Sequence, residues 1–148
     1  MMEWLENTKS ALFNGMTLIG GALIGLIGGW DVSMKVLVTM VALDYITGVS
    51  LGWIGKSPKT ENGGVSSSVG LHGLLKKCAV FMVIIVATLL DSILEGDAAL
   101  FRTAAAWFYI ANEGISLLEN ISLLGVPVPQ KILDALENLK SKNTANKE

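Results

Sequence analysis

The sequence predicts an all-α, polytopic membrane protein with four membrane-crossing helices and a short amphipathic helix near the C-terminus. Three observations lead there. Hydrophobic residues make up 51% of the 148-residue chain and mean hydropathy is +0.55, above what the charged, mixed surface of a small soluble domain allows. Three stretches reach the roughly 20 apolar residues that a bilayer core requires of a helix. A fourth stretch of similar length gathers its polar residues into one stripe and leaves a broad apolar face.

The first segment, residues 11 to 30, reads ALFNGMTLIGGALIGLIGGW and carries no charge. Glycine weakens a helix in water but is tolerated in lipid, where no water competes for backbone hydrogen bonds. Gly21, Gly25 and Gly29 recur at four-residue intervals, a register that lets helix backbones approach closely. The pattern fits association between copies, packing within one chain, or simple flexibility. Upstream, Glu3 and Glu6 stand against Lys9 with no A-x-A-like cleavage site following. The segment is therefore expected to be retained and not removed as a signal peptide. Met16 offers an internal start for a shorter product.

The second segment, residues 34 to 54, is MKVLVTMVALDYITGVSLGWI, with Asp44 near its middle. Insertion scales put the cost of a central aspartate at about 3 kcal/mol, so it needs a partner or a proton. Thr47, Gly48, Leu51 and Gly52 share its helical face, and Gly48 with Gly52 makes a small-xxx-small pair suited to helix–helix contact. Two readings stay open. Asp44 lines a pathway or a subunit interface where protonation or pairing sets the assembly state, or it is a satisfied group within one bundle, paired with a hydroxyl or with Arg102. Trp30 and Trp53 end the first two segments, where amphipathic rings favour the headgroup region.

Between the second and third segments lie Lys56, Lys59, Lys76 and Lys77 against Glu61 alone, which places this basic loop in the cytoplasm by the positive-inside rule. The third segment, residues 74 to 94, carries only Asp91 as a charge after its two lysines. Asp91 falls at the outer boundary and is expected to be solvated. Glu95 and Asp97 follow in a turn expected outside.

The fourth segment, residues 101 to 124, is FRTAAAWFYIANEGISLLENISLL. Arg102, Tyr109, Glu113, Ser116 and Asn120 fall along one helical stripe at three-, four- and seven-residue spacings. Such a helix spans if the stripe faces other helices or water, or it lies along the interface. Spanning is favoured, because Lys131, Lys140, Lys142 and Lys147 prefer a cytoplasmic C-terminus and so require an even number of crossings, with the N-terminus cytoplasmic too. Arg102 and Glu113 are separated by roughly 16 Å along a straight helix and cannot pair within it. Arg102 is expected to snorkel at the outer boundary.

Gly125, Pro127 and Pro129 end the fourth helix. The run QKILDALENLKSK then sets Ile132, Leu133, Leu136 and Leu139 on one face, an amphipathic helix able to dock on the bundle, on the membrane surface or on a neighbour. NTANKE reads as a disordered tail. Two regions result, a helical membrane domain over 1–126 and a cytoplasmic helix with its tail over 127–148.

Composition also excludes. A net charge of -2 and a pI of about 5.4 argue against nucleic-acid binding. Cys78 is the sole cysteine, which rules out an intramolecular disulfide or a cysteine zinc cluster. His72 has no second ligand at metal-binding spacing. Ser66, Ser67, Ser68, Asp44 and His72 include the residue types of a hydrolase triad, but no motif orders them. No enzyme activity, metal or cofactor is expected.

Three elements carry a family resemblance: D-Y-x-T-G from Asp44, S-S-x-G-x-x-G-L-x-K-K from Ser67, and N-E-x-x-S-x-x-E-N from Asn112. In this order and spacing, over roughly residues 35 to 140, the chain resembles the phage-lysis and toxin-secretion holin family. The matching positions are Asp44, Thr47, Gly48, Ser67, Ser68, Gly70, Gly73, Lys76, Lys77, Asn112, Glu113, Glu119 and Asn120. The resemblance implies a small protein of the bacterial cytoplasmic membrane that accumulates and then assembles into lesions. Its implied partners are the lipid bilayer, further copies of itself and an antiholin, with a functional link to an endolysin or a toxin. In that setting the glycines of the first segment and the Asp44 face would carry assembly, and the stripe around Glu113 would line the opening. A small proton-coupled multidrug-type exporter or channel is the alternative, disfavoured by the long basic loop and the lack of an internal repeat. An antiholin or assembly scaffold is a third reading.

Overall fold

The computed structural model describes residues 1–94 and 99–145. The expectations for Glu95, Asp97 and Lys147, and for the side chains of Glu3 and Lys142, fall outside what is described. Among the described residues five helices and no strands are present: α1 Met2–Leu26, α2 Val32–Trp53, α3 Ser67–Ile93, α4 Leu100–Leu123 and α5 Gln130–Ala145. Stretches Trp4–Leu26, Val32–Trp53 and Ser67–Ile93 are long and apolar enough to cross a membrane. The chain is a membrane protein, with α4 matching α2 in length but more polar, through Arg102, Glu113 and Glu119.

Local chemistry sets the helix ends. Asp31 caps α2 by accepting from the Met34 amide at 2.9 Å, and Ser66 starts α3 several residues earlier than hydropathy alone suggests. Three helices stop the same way. Gly28, Gly55 and Gly125 adopt positive φ just beyond α1, α2 and α4, and paired backbone bonds such as Gly28 N to Gly25 O and Gly29 N to Ile24 O close each end. This turn takes Gly29 out of the helix, so the three-glycine register proposed for the first segment contains only Gly21 and Gly25.

α2, α3 and α4 form the bundle. Met34, Leu37 and Val41 of α2 meet Val80 and Ile84 of α3 and Ala106 and Ile110 of α4 in one core. Because hydrocarbon offers no hydrophobic drive between helices, close packing and internal polar bonds must hold this core in a bilayer. α4 lies parallel to α2 along its length, while α3 runs antiparallel to both and packs mainly on α4.

The two remaining helices behave differently. α1 meets the bundle only through a few contacts to α3. No residue within its spanning stretch is buried, and nothing among the described residues approaches within 4 Å of a Cβ built at Gly21 or Gly25. Packing within one chain therefore does not explain those glycines. α5 folds back onto α4: Leu136 Cδ1 would lie 3.1 Å from a Cβ at Gly114, and Leu133, Leu136 and Leu139 are half-buried. Docking supplies the tertiary support that a helix this short lacks alone. The helix consequently runs on through Ala145, into the segment read from sequence as a disordered tail.

Candidate functional site

The centre of the bundle contains a cluster of polar and ionisable groups drawn from all three of its helices. Asp44 of α2, Lys77 of α3, and Glu113 and Asn120 of α4 are each at least nine-tenths buried. Lys77 Nζ donates to Asp44 Oδ2 at 2.7 Å and also to Glu113 Oε2. Asn120 Nδ2 donates to the other Asp44 oxygen, Oδ1, at 2.9 Å. The same amide approaches the Asp44 carbonyl at 3.2 Å and Thr47 Oγ1 at 3.1 Å. Thr47 can accept because its own proton is committed to the Leu43 carbonyl at 2.8 Å.

Asp44 is thus a satisfied group within the chain, but its partners are neither of those considered from sequence. Lys77, assigned there to the basic loop, sits inside the bundle instead. The signal for this is in the sequence: Lys77, Val80, Ile84 and Ala87 are the buried residues of α3, and their spacing of three, four and three places the lysine on the inward stripe. Lys76 is turned about 100° away by the helical pitch and is exposed, as are Lys56 and Lys59 in the loop. Small residues make room around the cluster. A Cβ at Gly48 would sit 3.7 Å from Asn120 Nδ2, whereas Gly52 packs on Val65 of the loop and not on a helix.

A second ionic lock closes one end of the bundle, where α4 begins. Arg102 is 5% exposed, so it does not snorkel. Its Nε donates to the Ile27 carbonyl at 2.6 Å, one terminal nitrogen to Asp31 Oδ2 at 2.6 Å and the other to the Gly29 carbonyl at 3.2 Å. The planar fork satisfies the α1 terminus and grips the α2 cap together, which a lysine's single nitrogen could not do. Gly28 makes this approach feasible, since a Cβ there would lie 2.6 Å from Arg102 Nε. The same contact holds the Asp31 carboxyl at about 2, below its ordinary 3.8; the Arg102 hydrogen bond is the largest cause. Asp91, expected to be solvated, accepts from the amides of Phe101 at 2.9 Å and Arg102 at 2.8 Å and so caps α4.

The predicted polar stripe is real but faces inward. Arg102, Glu113 and Asn120 are buried in the two locks, and Tyr109 and Ser116 are partly buried beside them. Between α2, α3 and α4 a cavity of about 990 Å³ reaches from Asp44, Lys77 and Glu113, past Asn112 and Ser116, to the loop residues Lys59 and Ser66. The cluster therefore lies at the inner end of a cleft that opens at the basic-loop end.

Residues 21–141 match the sequence profile of the bacteriophage holin family. A 14.9 kDa protein encoded in the nagH 3' region of Clostridium perfringens is 38% identical over 138 residues, covering 93% of this chain and 99% of the relative. The YqxH protein of Bacillus subtilis is 30% identical across 94% of this chain and 96% of its own length. A protein of Bacillus phage phi105 named as a probable holin is 33% identical over 110 residues, covering 74% of this chain and 76% of that protein. No solved structure matches the chain. The matched region spans α2 to α4 and with them every member of both ionic locks, and on that extent of agreement this chain belongs to the bacteriophage holin family.

Proposed function

We propose that the chain is a non-enzymatic holin that self-associates in the bacterial cytoplasmic membrane and opens lesions through which an endolysin or a toxin leaves the cell. Family membership supports this, as does the similarity to the probable holin of Bacillus phage phi105. The observation that carries it is the division of the molecule into a complete bundle and an unpartnered helix. The bundle satisfies its buried polar groups at its centre and at one end, while α1 exposes Leu12, Phe13, Met16, Ile19 and Leu23 with Gly21 and Gly25 uncovered among them. At low density lipid covers that surface. As copies accumulate, a second chain competes for it, because glycine-lined faces gain dispersion contacts that fluid lipid does not match.

In this reading the loop between α2 and α3, with exposed Lys56, Lys59 and Lys76, lies in the cytoplasm together with the N-terminus, α4 makes a fourth crossing, and α5 turns back along α4 from its cytoplasmic end. The inward stripe of Arg102, Glu113 and Asn120 keeps the single chain closed. Controlled expression in bacteria, with and without an endolysin, tests the proposal. Abrupt depolarisation followed by endolysin-dependent lysis is expected. Graded drug resistance without lysis would assign the chain to a small exporter, and delayed lysis alongside another holin would make it an antiholin.

A further inference from the structure

The α4–α5 side of the molecule poses a problem that the rest of the surface does not. α4 is held lengthwise against the spanning helix α2, from Arg102 on Asp31 at one end to Asn120 on Asp44 near the middle. Gly114 follows Glu113, which shares Lys77 with Asp44, so Gly114 lies at mid-depth of the span. Leu136 of α5 rests on it. The opposite face of α5 consequently stands near this depth and presents Asp134, Ala135 and Asn138, all exposed, with Asp134 accepting from Gln130 Nε2 at 3.0 Å and exposed Lys131 about a turn nearer the start of the helix. Charged and amide side chains are not left to hydrocarbon without a partner or water. The exposed faces of α1 and α3 differ: they carry residues such as Ile19, Met82, Val86 and Leu89, which suit lipid.

We infer that the outer face of α5, and not the buried stripe of α4, is the surface that meets water within the membrane, lining the aqueous space enclosed by associated copies. This rests on the lesion-forming reading and adds which element faces the opening. It explains why an amphipathic helix is folded back along a spanning-length partner: its leucines cover α4 and its polar residues are turned outward. Water is the occupant that suits this face, because it mixes Lys131 with Asp134 and Asn138, and the one large apolar side chain exposed on α5, Ile132, stands at the edge of the leucine face. The closed bundle needs no rearrangement to supply such a lining, whereas exposing the α4 stripe would break both ionic locks.

Cysteine accessibility in the full-length protein tests this, in membranes collected at a fixed time after induction of expression and with Cys78 replaced by alanine. A135C and N138C on α5 are compared with V86C in the apolar run of α3, using a charged, membrane-impermeant thiol reagent. A paired G114C/L136C variant reports by disulfide formation whether α5 stays on α4. The expected result is a formed disulfide, with A135C and N138C reacting on the order of tenfold faster than V86C, as a wet face requires. A formed disulfide with both positions as slow as V86C would place α5 in lipid and overturn the inference. Absence of the disulfide would show that α5 leaves α4 in the membrane and would overturn it equally. Wild-type lysis is scored separately, so a failed lesion reading shows as lost lysis with labelling unchanged.

Discussion

Replacing Lys77 with methionine keeps an unbranched side chain one atom shorter and removes the one ammonium that two buried carboxylates share. Asp44 is 6% and Glu113 7% exposed, so neither recovers its hydration when the partner is lost. Removing one member of a buried ion pair typically costs about 3–5 kcal/mol, mostly from the charge left uncompensated. Spread over a chain of this size, at roughly 2–4 °C per kcal/mol, that predicts a fall in unfolding temperature on the order of 10 °C. The assay is thermal unfolding of the detergent-solubilised protein followed by circular dichroism. Lys76→Met is the matched control, because Lys76 is exposed one position earlier, and it should move stability by less than about 0.5 kcal/mol. Neutralising the carboxylates as well, in D44N/K77M/E113Q, should recover most of the loss. K77M unfolding within 2–3 °C of wild type, where a shift of about 10 °C is expected, or a triple variant no more stable than K77M, would refute the argument.

Four other outcomes follow from the same geometry. Gly28→Ala places a Cβ against Arg102 at a φ of +79° and should cost about 2–3 kcal/mol in the same unfolding assay. At Gly21 and Gly25 a Cβ meets nothing among the described residues, so in Gly21→Leu and Gly25→Leu the unfolding temperature should hold while lysis timing on controlled expression shifts. Asp44→Asn keeps a polar partner for Asn120 but leaves Lys77 to Glu113 alone, and an earlier or later lysis onset is expected; unchanged timing would make the cluster purely structural. Asp31 is bound more tightly as the anion in the fold than in the unfolded chain, so its contribution is complete above about pH 5 and is lost as pH falls through about 2. Its side chain is 47% exposed, which limits the effect to below about 1 kcal/mol after screening. The stability gap between wild type and D31N should therefore be constant at neutral pH and vanish near pH 2.

Much of this fold is legible in the sequence because length and hydropathy alone define spanning helices. The segments around Asp44 and Val80 needed nothing more, and the glycine and proline punctuation near Gly125 marked the end of α4 correctly. Partner choice was harder to read. Lys77 looks like the end of a basic loop when lysines are counted, and only its register with Val80 and Ile84 turns it inward. Arg102 looks like a boundary residue because the groups it binds are carbonyls at a helix terminus, which no side-chain pattern advertises. Asp91 was obscure for a related reason: its partners are backbone amides of the next helix. Docking of α5 depended on the absence of a side chain at Gly114, a vacancy that becomes informative only once Leu136 is brought beside it.

The sequence separation within the central cluster bears on how the protein is made. Asp44 emerges from the ribosome 33 residues before Lys77, and Glu113 another 36 residues later. A helix bearing one unpaired charge enters a bilayer at a disadvantage of about 3 kcal/mol, which a neutral pair escapes. α2 and α3 are therefore best inserted together as a hairpin, with Asp44 and Lys77 already in contact. α4 then joins a preformed socket, bringing Glu113 to the lysine and Asn120 to the remaining oxygen of Asp44. Order of synthesis and order of charge compensation thus coincide, which makes the lysine both the last requirement of the hairpin and the first receptor for α4.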